Sequence, residues 1–360
     1  MKTNIALGLV MLSVLLAPVL RRTGLDPHSM PNGSPVLAES QQTSESALGA
    51  LRTSHQGQPV QAVLLADIEA ESDPDRRSEA IERVVESVCP ADLAAMLDWL
   101  ARDASLGAAE LSQRLVRRWA ESDARAAAAW ASQLPEGDAR RAALGQVAIA
   151  WANTDLPAAA EWVLALPGGE SKQAATLDLG YEAARTEPVA ALELANTLPP
   201  APERDDLLVY AVSQWSGTDA ATAAPWAVKV PDPSLQQRLV AAVAVASAEQ
   251  DGAGAATLAA SALEAGDEQD RAVVSVVQRW AQNSPQAAAS WVSEFPDSPS
   301  RNAAVQNLLA VWVAQDAEAA GNWLRELPAG PLHDFGMSAY NQALADRGRS
   351  SPVVAPAAGM

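Results

Sequence analysis

Residues 138–167 read DARRAALGQVAIAWANTDLPAAAEWVLALP. From Arg140 to Ala152 the apolar residues recur at helical spacing, which predicts a first helix, helix A. A short break follows. Asp155 is placed there as an N-cap, where its carboxylate accepts an orphan backbone amide of a second helix, helix B. Helix B is about ten residues long and rich in Ala, and Leu166-Pro167 ends it, because the residue before a proline disfavours helical backbone. Trp151 lies in helix A and Trp162 in helix B, eleven residues apart.

Working outward, the same spacing returns at Trp119/Trp130, Trp215/Trp226, Trp280/Trp291 and Trp312/Trp323. The pairs step by 32, 64, 65 and 32, so a unit of 32 fits with Ala183/Leu194 and Ser247/Leu258 filling the gaps. One extra residue falls between the fifth and sixth units. Four residues after the first slot stand Asp123, Asp155, Glu187, Asp219, Asp251, Ser284 and Asp316. Five after the second slot stand Pro135, Pro167, Pro199, Pro231, Leu263, Pro296 and Pro328. Three before the second slot there is always Ala, from Ala127 to Ala320. A weaker unit precedes these, with Asp92 and Trp99, and a half-unit covers residues 59–71. A single hairpin cannot bury its apolar face, whereas stacked hairpins can. The expected fold is all-α: an α-solenoid of about eight stacked helical hairpins with a 32-residue repeat. No alternating run or hairpin signature predicts β-structure.

The boundaries follow. Residues 1–22 read as a signal peptide or signal anchor, 23–57 as a disordered linker, 58–346 as the solenoid and 347–360 as a disordered tail. Residues 5–20 carry no charge and lie between Lys2 and Arg21-Arg22. Sixteen helical residues span roughly 24 Å, a little short of a hydrocarbon core of about 30 Å. No small-x-small site directly follows the run, and no Cys follows it, which excludes a lipoprotein. The expectation is an uncleaved hydrophobic helix that holds the body at a membrane, on the periplasmic side. Secretion after cleavage is the alternative.

Composition bounds the function. The 360 residues carry 44 Asp and Glu against 25 Lys and Arg, a net charge of −19, which argues against a nucleic-acid partner. One cysteine, Cys89, leaves no internal disulfide and no Cys-rich zinc site, and it reads as a buried structural thiol. Three histidines leave little for histidine chemistry. No nucleophile elbow, phosphate loop, dinucleotide fingerprint, zinc motif or calcium loop is present. No catalytic residue, cofactor or metal is expected.

The pattern Trp-x3-Asp-x6-Trp-x4-Pro in a 32-residue helical hairpin resembles the α-solenoid superfamily, nearest to tetratricopeptide-like repeats. It resembles even more the uncharacterised, membrane-anchored, Trp- and Ala-rich bacterial repeat proteins. The likeness covers roughly residues 59–346. It departs from the true tetratricopeptide unit in length and in lacking its Gly-x-x-Tyr signature, so no peptide-clamp residues carry over. The resemblance implies a right-handed solenoid and a protein-interaction scaffold.

Two ladders are candidates for function. The Trp ladder reads as core packing, because Ala183, Ser247, Leu194 and Leu258 replace Trp in two units. The alternative is a row of indoles that stack on cell-wall glycan. A second ladder lies five residues after the Pro slot: Arg140, Lys172, Arg204, Gln236, Glu268, Arg301 and His333. Equivalent positions of a solenoid align along one ridge. Arg140, Lys172, Arg204, Arg301 and His333 are therefore the candidate partner-binding residues, a basic stripe for an acidic partner. The competing reading is local pairing with carboxylates such as Asp138, Glu170 and Asp205. The expected function is a non-enzymatic protein-protein interaction scaffold. An all-α enzyme with an acidic site ranks behind the glycan module. On the core reading, Trp162→Ala costs roughly 3–5 kcal/mol and Arg140→Ala under about 1 kcal/mol.

Overall fold

The computed structural model describes residues 60–103 and 105–350. The hydrophobic run at 5–20 and the linker at 23–57 lie outside the described residues. Among the described residues there are fourteen α-helices, one 3₁₀ turn and no strand. They are α1 (Val60–Ala70), α2 (Pro74–Ser87), the 3₁₀ turn Pro90–Asp92, α3 (Leu93–Leu100), α4 (Leu106–Gln133) and α5 (Asp138–Ala165). Then come α6 (Glu170–Ala184), α7 (Pro188–Asn196), α8 (Pro202–Ala227), α9 (Pro233–Ser247) and α10 (Gly252–Ala262). The last are α11 (Asp267–Asn283), α12 (Pro285–Ser293), α13 (Pro299–Glu326) and α14 (Pro331–Ser350).

The acidic slot marks the A-to-B junction in both forms that the junction takes. In α4, α5, α8 and α13 the helix runs through it with one residue bent out of helical geometry: Asp123, Asp155, Asp219 and Asp316, at φ near −150° and ψ between 75° and 91°. Each carboxylate accepts from the amide three residues on, at 3.0 Å in Asp155 to Ala158. Asp251 does the same at the start of α10. Glu187 and Ser284 occupy the slot with similar backbone but no side-chain cap, and there proline takes the first helical position instead. The kinks therefore replace the expected break, and the eight A/B pairs are α2/α3, α4, α5, α6/α7, α8, α9/α10, α11/α12 and α13. In α5 and α6 the turn into helix A passes through Gly137 and Gly169 at φ of 150° and 152°, where a side chain would be strained.

Packing runs along the chain. The principal partners of each helix are the next and next-but-one helices, as in α4 on α5, α6 on α7 and on α8, and α11 on α13. The small residues of helix B are what permit this. Ala127, Ala159, Ala191, Ala223, Ala255, Ala288 and Ala320 are all fully or almost fully buried. Polar side chains set the register between units. Three residues after the first Trp slot, Gln250, Asn283 and Gln315 each donate to a carbonyl two residues after the slot of the preceding unit. The distances are 2.5, 2.9 and 3.0 Å, to Gly217, Glu249 and Gln282.

Three expectations change. Only Trp151 and Trp312 of the eleven Trp are buried; nine are half-buried. Each pair lies with ring centroids 5.7 to 6.2 Å apart, so the indoles pack on each other at the edge of the core. Trp162 is one of the nine, and its truncation removes less buried surface than a core indole would. Cys89 is exposed, because it stands in extended backbone just ahead of the 3₁₀ turn that Pro90 begins. The last helix continues to Ser350, beyond the boundary expected at 346, held by Arg347 donating to the Val313 carbonyl at 2.8 Å. Phe335, Met337 and Tyr340 of α14 cover the end of the core, and Leu344 faces out.

Candidate functional site

The basic ladder is built from hydrogen-bond donors that reach backward. Arg140 donates from Nη1 to the Leu134 carbonyl at 3.1 Å and lies 3.3 Å from Glu136. Lys172 donates to the Leu164 carbonyl, and Gln236 to that of Val228. Arg301 donates to the Phe295 carbonyl at 3.5 Å and pairs with Asp297. Counted from the second Trp slot, every acceptor lies two or four residues on, at the C-terminal end of helix B. Those carbonyls lack a partner within their own helix and carry its negative dipole end. The ladder is a set of C-terminal caps.

This explains the two gaps in the stripe. Gln236 carries no charge but has the needed N–H. The sixth unit carries its extra residue between Leu263 and the ladder, so the slot moves from Glu268 to Gln269. Gln269 donates to the carbonyls of Ala260 at 3.0 Å and Leu263 at 3.2 Å. Arg204 departs from the pattern: its Nε is 3.7 Å from the Asp205 carboxylate. His333 is half-buried with Nδ1 3.1 Å from Asp334. Arg301 is buried at 6% exposure, and the side chains of Arg140 and Arg204 are 12% and 19% exposed. The structure places these five residues near the start of helix A in five of the seven units that carry the ladder. It turns the head groups of Arg140, Lys172 and Arg301 onto the chain's own backbone.

The open surfaces lie elsewhere, mostly in the first units. A polar cavity of about 870 Å³ runs across three successive A helices, α2, α4 and the first half of α5. Arg77, Arg114, Arg117 and Arg118 line it together with Glu82, Glu86, Glu110 and Glu121. Arg114 bridges units by pairing with Glu82 and donating to Ser78 Oγ at 2.9 Å. Arg118 holds the end of α2 through the Val85 and Val88 carbonyls. Arg117 reaches Gln146 at 3.3 Å and is exposed.

A second cavity, of about 510 Å³, opens between α3, α4 and the start of α5. Its floor is apolar, with Leu97, Leu100, Val116 and Ala143, and Trp130 forms one wall. Trp130 Nε1 donates to Asp98 at 2.9 Å, which fixes the indole. A smaller cavity of about 270 Å³ sits at the equivalent place three units on, between Asn196, Arg204, Trp226 and Leu235. The difference in size has a local cause. Arg204 stands in the ladder slot of the smaller one, and Ala108, eleven residues before Trp119, stands in that slot of the larger.

Two further features lie on the A helices. Tyr181 and Tyr210 pack with ring centroids 5.5 Å apart. The Asp178 carboxyl lies against Gly145, where a Cβ would collide with it, and burial raises its pKa above the ordinary carboxylate value. Among the described residues no group of three or more His, Cys, Asp or Glu is placed to hold a metal ion. No helix among them is long and apolar enough to cross a membrane. The sequence reading missed the Arg114–Arg118 cluster and the open slot at Ala108. The clue to the second was available, because continuing the ladder one unit toward the N-terminus lands on Ala108.

Comparison with protein-family models, with curated proteins and with solved structures gives no match to this chain.

Proposed function

We propose that this chain is a non-enzymatic protein-interaction scaffold of the α-solenoid class, tetratricopeptide-like in its helical hairpins. We propose also that residues 5–20 hold it at a membrane with the repeat body on the periplasmic side. One observation carries the scaffold reading: the 870 Å³ cavity formed by three A helices in succession. Such a surface comes from stacking alone and offers alternating charge to an extended segment or helix of another protein. Its alternating Arg and Glu side chains suit a partner with both signs of charge rather than the purely acidic partner expected for a basic stripe.

The glycan-binding alternative draws support from the half-buried state of nine Trp. Against it, each paired indole already packs on another ring, which leaves little free face for a sugar.

The test uses the full chain as bait in detergent extract of the native cell, with Arg117→Glu as the control. Arg117 is exposed, so the substitution should change stability by no more than about 0.5 kcal/mol. A protein retained by the native chain and lost by the variant is the expected result. Capture of wall glycan alone, or turnover of a substrate by the purified chain, would contradict the scaffold reading.

A further inference from the structure

The cavity at Ala108 is an empty copy of a site that the protein fills for itself elsewhere. In five units a long side chain with a hydrogen-bonding head leaves helix A and lies across the end of the preceding helix B: Arg140, Lys172, Gln236, Gln269 and Arg301. The carbonyls that Arg140, Lys172, Gln236 and Arg301 reach stand two or four residues after the second Trp slot, and Gln269 reaches Ala260, two after it. Counted from Trp99, those positions are Ala101 and Asp103, and both line the 510 Å³ cavity. The residue that should fill it is Ala108, whose side chain ends at Cβ. Leu97, Leu100 and Val116 line it with apolar surface for an aliphatic stem, and Ala101 and Asp103 bring backbone acceptors to its lining.

We propose that this cavity receives an arginine side chain from a partner protein's segment. The inference rests on the reading of the chain as an interaction scaffold and names what one of its sites recognises. The choice of occupant follows from what occupies the equivalent sites. The two arginines reach the carbonyl at four residues, whereas Lys172 and Gln236 reach the one at two residues. A guanidinium has five donors in a fixed fork and can engage both acceptors at once. Asp103 and Asp138, both in the lining, add complementary charge. Asp103 accepts from the Ser105 amide at 2.9 Å, and Asp138 pairs with Arg141 at 2.8 Å, and a carboxylate so engaged keeps further acceptor sites. Arg102 also borders the cavity, so the two acids outnumber the cation there. The floor of Leu97, Leu100 and Val116 matches the apolar stem.

The test is saturation-transfer NMR on the full chain with the blocked peptide acetyl-Ala-Ala-Arg-Ala-Ala-amide. Peptides with norleucine or citrulline in place of the arginine are the controls. The expected result is binding of the arginine peptide at least about tenfold tighter than either control, since each control lacks the charge that a charge-assisted bond needs. Ala108→Arg places the protein's own guanidinium in the slot. It should weaken the peptide by about tenfold or more, the same criterion as for the controls, and raise the thermal midpoint. If Ala108→Arg fails to fold, Ala108→Gln supplies the stem and donor that Gln236 and Gln269 supply elsewhere. Asp138→Asn should weaken the arginine peptide and leave the norleucine peptide unchanged. Equal binding of the norleucine and arginine peptides, absence of binding, or binding untouched by both Ala108 variants would overturn the proposal. Failure here is distinguishable from failure of the scaffold reading. Peptide binding without a captured protein leaves the slot standing, and a captured protein retained by Ala108→Arg overturns the slot while the scaffold stands.

Discussion

Arg140 and Gln236 differ in charge and perform the same task. Each donates an N–H to a carbonyl at the end of the helix before it. Arg140→Gln should therefore change stability by less than about 0.5 kcal/mol, while Arg140→Ala should cost about 1–2 kcal/mol, because a part-buried acceptor loses its donor. Denaturant midpoints of the two variants check this. The larger cost for Ala replaces the value of under about 1 kcal/mol that fits an exposed charge. The position of the ladder was legible in the repeat, but its role was not. Spacing shows that a long polar residue recurs and cannot show whether its head faces water or a backbone carbonyl. The error at Glu268 has the same root, because an inserted residue can be counted on either side of the slot until Gln269 is seen making the bonds. Asp178 supplies a second prediction. Burial raises its pKa, so the folded state disfavours the ionised form and holds its proton to higher pH than the unfolded chain does. Stability is then lost as pH rises from the unfolded carboxylate value of about 3.9 through the raised folded one. Asp178→Asn should be more stable than the native chain at pH 7, and the gain should vanish below about pH 4 in thermal unfolding followed across pH.

At the scale of the element, the A-to-B junction sets the 32-residue unit. Asp155 is bent out of helical geometry, at φ −154° and ψ 82°, yet its carboxylate restores a hydrogen bond to the Ala158 amide. Asp155→Ala should cost about 1 kcal/mol and Asp155→Asn much less, since an amide oxygen caps as well. Equal losses from the two, measured by denaturant unfolding, would count against the capping role. The junction was legible as an acidic slot before an Ala-rich run, and so were helices A and B. The continuity of helix through the kink was not, because a residue can cap one helix and still extend another. The half-burial of the indoles also escaped the sequence, which shows that Trp recurs on one apolar face but not how near that face lies to the rim. Gly252 illustrates what fills the remaining space. The Trp280 ring packs on its backbone, where any Cβ would collide, so close approach between units depends on a residue type that the repeat pattern does not specify.

For the body as a whole, the packing order is the central result. Each unit leans on its neighbours, from α1 against the start of α4 to α14 over the last core cluster. Polar side chains pin the register at several of these steps, as Asn283 does to Glu249. The proposed partner surface follows from the same order, since the polar cavity exists only because three A helices stack. The all-α class and the packing of consecutive helices were legible because the repeat recurs along the chain. The open cavities were not, because they arise where the repeat is imperfect, as at Ala108. Excision of one whole unit puts the stacking of equivalent units to a direct test. Removing residues 140–171 joins Ala139 to Lys172, so a cap replaces a cap and every slot stays in register. If the body is a stack of equivalent units, the shortened chain folds with a helical signal per residue, by circular dichroism, within about a tenth of the native value and still unfolds cooperatively. Collapse of that signal, or aggregation of the shortened chain, would contradict the stack.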